Sequence, residues 1–256
     1  MVTVGDICGF MDTVAPFYMQ FDFDNIGLML GDPTRPVTRV LTALDATEAV
    51  VAEAVGWGAE LIVTHHPLIF HPLRHLSADE PQGKKLMDLI RADISVLSFH
   101  TNLDAAEGGV NDLLARLLGV ERAEPFNEEK IGRVGTLKCE KSLEQFLQDV
   151  VHFLGCRGLR YRDAGKPVRR VAVGGGACAE FIPQVLALGC DTFVTSDVKY
   201  HDFLDANGLN LIDAGHFETE NPVCEAVRAY LAERFPQLEL VRSTSHAESV
   251  IQYYMK

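Results

Sequence analysis

Several large classes of protein are excluded by what this sequence lacks. It has six cysteines, Cys8, Cys139, Cys156, Cys178, Cys190 and Cys224, but they are scattered and no two stand at Cys-x-x-Cys spacing. That argues against a disulfide framework and against a thiolate zinc site, and leaves reduced, mostly buried thiols as the expectation. Positive charge is scarce: 23 Lys plus Arg stand against 36 Asp plus Glu, for a formal net charge of -13. A general nucleic-acid binder needs a surplus of basic side chains on one face, and no basic run supplies one locally, so that role is not expected. No apolar run approaches the roughly 20 residues that span a bilayer. The N-terminus shows no basic segment followed by an apolar one, so the expected location is cytoplasmic, with no membrane partner.

What is present is an ordinary globular composition, 47% hydrophobic and 23% charged over 256 residues. One large domain or two modest ones fit that length. Short β-branched runs alternate with helical periods. Residues 37–41 read as a strand. A helix over 47–57 follows, with Asp45 or Thr47 as cap and Gly58 as stop, and then a strand over 60–64. Residues 84–92 are helical, 94–99 extended, and 110–118 helical up to Gly119. Ser142 and Gln145 form a capping box for a helix reaching about 154. Strands and helices in this order predict an α/β fold with largely parallel strands.

The chain also repeats itself. "VTRVLTALDATEAVVAEAVGWGAELIVT" from Val37 aligns without gaps to "VRRVAVGGGACAEFIPQVLALGCDTFVT" from Val168. The glycine stops, Gly58 and Gly189, and the closing Thr64 and Thr195 fall in the same register. A second match sets His100-x-x-x-Asp104 against His216-x-x-x-Glu220. The repeat predicts two duplicated α/β lobes with sheets flanked by helices, 1–125 and 126–256.

Histidine and carboxylate cluster directly after the expected strands: Thr64-His65-His66-Pro67, His100 to Asp104, Thr195-Ser196-Asp197, and His216 to Glu220. In open α/β sheets the carboxyl ends of strands line the ligand crevice. Successive residues on a strand project to opposite sides, so His65 and His66 are expected to reach different ions of a pair about 3.5–4 Å apart. Asp104 and Glu220 are candidates to bridge such a pair. On a helical turn His216 and Glu220 share a face, so both can enter one site. Lone histidines such as His71, His75, His152 and His246 read instead as structural.

"VTHHPLIF", "HTNLDAAEGGVND", "SDVKYHDFLDA", "DAGHFETE" and "FDNIGLMLGDP" closely resemble, in the same order, the Nif-three-like family of dinuclear metal-centre hexameric proteins, often labelled GTP cyclohydrolase I type 2 homologues. The resemblance implies metal ligands at His65, His66, Asp104, His216 and Glu220. It further implies two divalent ions per chain, intertwined lobes and a homo-oligomer, a hexamer. The stretch between Gly119 and Val168 is too short for the domain that some members insert between their lobes.

Two carboxylates against two divalent cations leave a local surplus of about +2, which suits a small anionic substrate and hydrolytic chemistry. Nitrogen and oxygen donors without sulfur suit Zn, Fe, Mn, Co or Ni. His100, Lys199 and His201 are candidates for catalytic roles, with Glu107, Asn111 and Tyr200 near them in sequence; a solvated helix face is the alternative for 197–206. Gly174-Gly175-Gly176 after a strand loosely resembles a dinucleotide loop, but Ala179 and Pro183 depart from that pattern, and a tight turn is expected instead. Two functions follow: a dinuclear metal hydrolase of a nucleotide-like or phosphorylated substrate, with opening of the GTP purine ring implied by the family label, or a non-catalytic metal scaffold, chaperone or regulatory protein.

Overall fold

In the computed structural model, which describes residues 1–253, the elements begin with α1 (Val4–Val14), β1 (Gly27–Leu30), β2 (Arg39–Ala43), α2 (Glu48–Trp57), β3 (Leu61–Thr64), α3 (Pro81–Arg91) and β4 (Ser95–Ser98). The middle of the chain holds α4 (Thr101–Ala105), α5 (Val110–Leu117), β5 (Val120–Pro125), β6 (Arg133–Lys141), α6 (Leu143–Leu154), β7 (Arg160–Arg162) and β8 (Val168–Val173). It ends with α7 (Ile182–Ala187), β9 (Thr192–Thr195), α8 (Tyr200–Asp205), β10 (Asn210–Asp213), α9 (His216–Glu220), α10 (Pro222–Arg234) and β11 (Glu239–Arg242).

Local signals set the helix ends. The Thr47 hydroxyl accepts from the Val50 N–H to open α2, and Gly58 closes it at φ +73°. Ser142 and Gln145 cap α6 reciprocally, and Gly155 ends it at φ +71°. These left-handed positions carry glycine because a Cβ there clashes with the backbone.

The chain divides into two units, each drawn from segments distant in sequence. Met1–Leu103 joins Val223–Glu248, and Asp104–Pro222 joins 249–253 among the described residues. These differ from the contiguous spans 1–125 and 126–256. The first unit holds a five-stranded sheet in the order β1-β4-β3-β2-β11. Its strands β4, β3, β2 and β11 are parallel, and β1 runs antiparallel at one edge. Strand β11 comes from the far end of the chain, pairing Glu239 with Arg39 and Arg242 with Thr42. The second unit holds a six-stranded sheet, β5-β6-β8-β9-β10-β7, parallel only across β8, β9 and β10.

Both sheets are flanked by helices, as the alternation predicts. Leu61–Thr64 and Thr192–Thr195 are buried throughout, which explains their continuous apolar or Thr-closed runs. Leu41, Val50, Ala54, Ile62, Leu89 and Val96 form the core of the first unit. Phe146, Val150, Val171, Val194 and Ile212 form that of the second. Each of the Val, Leu, Ile and Phe side chains contributes about 1.5–3 kcal/mol relative to exposure.

The repeat coincides with β2-α2-β3 in one unit and β8-α7-β9 in the other. Two details differ from expectation. The first strand starts at Arg39 instead of 37, because the Val37 N–H donates to the Val2 carbonyl at 2.8 Å and is drawn away from the sheet. Helix α7 is only six residues long, following a 3-10 turn at Ala179–Phe181 and carrying Pro183 in its first turn.

Candidate metal centre

In the first unit the parallel strands deliver the site residues at their carboxyl ends: Asp45 after β2, His65 and His66 after β3, His100 after β4. The Thr64 hydroxyl donates to the His66 carbonyl at 2.8 Å, and the His66 N–H donates to the Leu44 carbonyl at 2.9 Å. This staple bends the chain as the strand ends at Thr64. Strand alternation therefore stops before the two histidines, and their ring centroids lie 5.0 Å apart. The expected separation to opposite sides does not occur. His100 joins them, with ring centroids 5.2 Å from His65 and 5.6 Å from His66. One ligand atom from each of the three lies within 4.8 Å of the other two, close enough to hold a metal.

The orientation of each ring follows from its Nδ1 partner. His65 Nδ1 meets the Phe99 carbonyl at 2.9 Å, His66 Nδ1 meets Asp45 Oδ1 at 2.7 Å, and His100 Nδ1 meets Asp24 Oδ1 at 2.9 Å. A carbonyl or an ionised carboxylate can only accept, so each Nδ1 carries a proton, and in the neutral ring each Nε2 presents its lone pair. That is the tautomer a metal requires, fixed in advance by outer partners. Asp24 is itself held firmly. Burial raises its carboxyl, but hydrogen bonds from His100 and Thr101 outweigh that and hold it at about 2.

The second unit supplies a matching set. Asp197 follows β9, and β10 leads into α9, which carries His216 and Glu220. His216 Nδ1 meets Asp197 Oδ2 at 2.7 Å, and His216 Nε2 lies 3.0 Å from Glu220 Oε2. Glu220 is 4% exposed and Asp104 is 8% exposed. The Asn111 amide donates to the Asp104 carbonyl at 3.0 Å and accepts from the Gly175 N–H at 2.9 Å. The glycine loop packs against this set. A Cβ on Gly176, at φ +64°, would come 2.1 Å from Glu220 Oε1, and one on Gly175 would come 2.5 Å from Val110 Cγ1. The three glycines thus let protein approach closely, as a tight turn does. Burial, and then the charges of Asp104 and Glu220, push the Cys178 thiol well above its ordinary range.

The three imidazoles of the first unit, and in the second unit one imidazole with two buried carboxylates, are nitrogen and oxygen donors with no thiolate among them and suit hard or borderline divalent ions. Lys199, Tyr200 and His201 lie exposed at the start of α8, where the Lys199 N–H donates to Asp202, and Glu107 is also exposed. None of these four is in the groups that could hold a metal. Asp24, Asp45 and His246 were not expected in functional roles, and Asp197 was expected at a strand end but not as the partner of His216. His246 is 8% exposed, with its Nδ1 3.7 Å from Asp45 Oδ2.

A family model described as Duf34/NIF3 (NGG1p interacting factor 3) matches residues 2–248. The chain belongs to the NIF3 family. A curated NIF3 relative from Clostridium perfringens, named "GTP cyclohydrolase 1 type 2 homolog", is 37% identical over 240 residues, covering 90% of this chain and 92% of its own. A solved Bacillus cereus protein related to NIF3 superposes with a TM-score of 0.92 at 26% identity, covering 99% of each chain. HcgD from Methanocaldococcus jannaschii, in its reduced form, gives a TM-score of 0.84 at 30% identity, covering 94% of this chain and 97% of its own. Among the described residues no helix of this NIF3 protein is long and apolar enough to cross a membrane.

Proposed function

We propose that this NIF3 protein is a dinuclear metal-dependent hydrolase of a small nucleotide-like or phosphorylated substrate, with His65, His66, Asp104, His216 and Glu220 as ligands. One observation carries the reading: His65, His66 and His216 each turn Nδ1 to an oxygen acceptor, so that Nε2 is the ring atom offered to a metal. Chain connectivity supports a shared centre. Helix α4 crosses the boundary between the units and places Asp104 four residues after His100, and Glu220 stands two residues before the chain crosses back at Pro222.

When bound, two divalent ions would supply Lewis acidity and a water of lowered pKa. The protein's own part is orientation. Asp45, Asp24 and Asp197 hold rings against rotation, and the buried Asp104 and Glu220 favour dications over neutral occupants. The name carried by the curated relatives points to opening of a purine ring. His100, Lys199 and His201 are proposed to assist there, His100 from within the histidine cluster and the other two from the exposed start of α8. The assembly is proposed to be a hexamer.

The test is a metal count on protein purified without chelator, together with His66→Ala and Glu220→Ala. We expect two divalent ions per chain in the parent and a loss in each variant. A parent stoichiometry well below two, or variants that keep the full complement, would overturn the reading. A metal-dependent screen across nucleotides, phosphoesters and cyclic amides then identifies the reaction. Full metal without turnover favours the scaffold role.

A further inference from the structure

An aromatic ledge adjoins the histidine cluster of the first unit. The Phe70 ring packs edge-to-face on His100, with centroids 6.1 Å apart and planes at 84°. Phe23 follows at 6.4 Å from Phe70, and Phe21 at 5.5 Å from Phe23. His71 closes the other side, 4.8 Å from Phe70. Phe23 is 64% exposed and Phe70 is 38% exposed.

The ledge is built rigidly. The Phe21 N–H donates to Thr101 Oγ1 at 3.1 Å, and the Asp24 carboxylate is clamped by His100 and Thr101. The Asn25 amide donates to the Ile69 carbonyl at 2.6 Å and so ties the segment carrying Phe23 to the one carrying Phe70. Neighbours that already hold His100 therefore tie together the two segments that carry the exposed rings.

Area decides what this surface takes. The exposed parts of Phe23 and Phe70 together amount to about one aromatic side chain, roughly 200 Å². A stable subunit contact needs about 800 Å² per partner, so the ledge is too small to be the centre of one. It matches the face of a fused planar ring.

We propose that Phe23 and Phe70 form the platform on which the substrate's planar heterocycle stacks, placing its oxygen-bearing edge toward the histidine cluster. This rests on the hydrolase reading above and gives it a substrate class: flat heteroaromatic compounds with an anionic tail, in preference to aliphatic phosphoesters. Stacking on aromatic side chains is tolerant of ring identity, so affinity follows ring area more than hydrogen-bond pattern.

The test uses the full-length, metal-loaded protein and 2-aminopurine riboside 5′-monophosphate, whose fluorescence is quenched when its base stacks. Saturable quenching is expected for the parent. Phe70→Leu and Phe23→Leu should each weaken binding about tenfold, and Phe70→Tyr should stay within about twofold, because a ring face is worth that much per base. Competition by ribose 5-phosphate, which has no ring to stack, should be unchanged in every variant. Metal content and mass in solution should match the parent throughout. Absence of saturable quenching, or Leu variants that bind as tightly as the parent, overturns the platform. A change of mass in the Leu variants also overturns it and assigns the ledge to a contact between copies. The two readings fail separately. Full metal with unaffected Leu variants removes the platform alone, whereas retained quenching that still needs the two rings, in a parent that holds no metal, removes the hydrolase reading alone.

Discussion

Asp24 shows how much a single side chain contributes here. Its two oxygens are divided between His100 and the backbone and hydroxyl of Thr101. Replacing it with Asn puts a donor in its place and removes the charge that fixes the imidazole tautomer. Asp24→Asn should lower metal affinity about 10–100-fold with little change in fold, read by competition with a chromogenic chelator and by circular dichroism. The candidate ligands stood out in the sequence, since a His-His-Pro turn after a strand and two His-x-x-x-acid segments are local patterns. Their pairings with carboxylates did not. Asp24 lies 76 positions from His100, Asp45 lies 21 from His66, and Asp197 lies 19 from His216. No spacing rule reaches across such distances; only the alignment of strand ends does.

Among the elements, the capping signals were read correctly because they act within a single turn. Gly58 and Gly189 occupy corresponding positions of the repeat, both left-handed, at φ +73° and +71°. Their surroundings differ. A Cβ on Gly58 would meet the Arg39 guanidinium at 2.9 Å, whereas one on Gly189 meets nothing within 4 Å. Gly189→Ala should therefore cost about 1 kcal/mol from backbone strain, and Gly58→Ala somewhat more, as measured by urea unfolding midpoints.

Helix α2 also carries Glu53, which sequence reading passed over. Its carboxylate accepts from the Ser243 hydroxyl, from both the N–H and the hydroxyl of Thr244, and from the Ser245 N–H, and so clasps the segment between β11 and His246. Burial raises the Glu53 carboxyl, but those hydrogen bonds prevail and hold it at about 2. A depressed folded value means that its contribution is complete above the unfolded value of about 4.5 and is lost as pH falls toward 2. After allowance for solvent screening, Glu53→Gln should cost about 1–2 kcal/mol at pH 7. The gap between the two proteins should close progressively below pH 4.5. A gap independent of pH would show that the carboxylate charge is not what holds the clasp.

At the scale of the whole molecule, the fold class was legible because helix and strand periods alternate, and the duplicated β-α-β unit was legible because its register carries no gaps. The assignment of segments to units was not. Glu239–Arg242 has no feature that marks it as the partner of Arg39–Thr42, since pairing registers are set by the whole sheet. A chain ending at Arg234 should accordingly lose an edge strand and expose β2, whose residues from Val40 to Ala43 are buried. We expect that truncation to lower the unfolding midpoint and to aggregate at concentrations where the parent stays dispersed, followed by light scattering. A truncated chain as stable as the parent would mean that β11 adds nothing to its sheet.

That return of the C-terminal strand also sets an order in time. On the ribosome, every strand of the six-stranded sheet has been made once Asp213 emerges, and all of them lie in one uninterrupted stretch. The five-stranded sheet begins earlier, at Gly27, yet must wait for Arg242 before its last edge is covered. Domains generally fold as their segments become available. Synthesis therefore completes first the sheet that starts later, and the N-terminal residues spend most of translation beside an unfinished one.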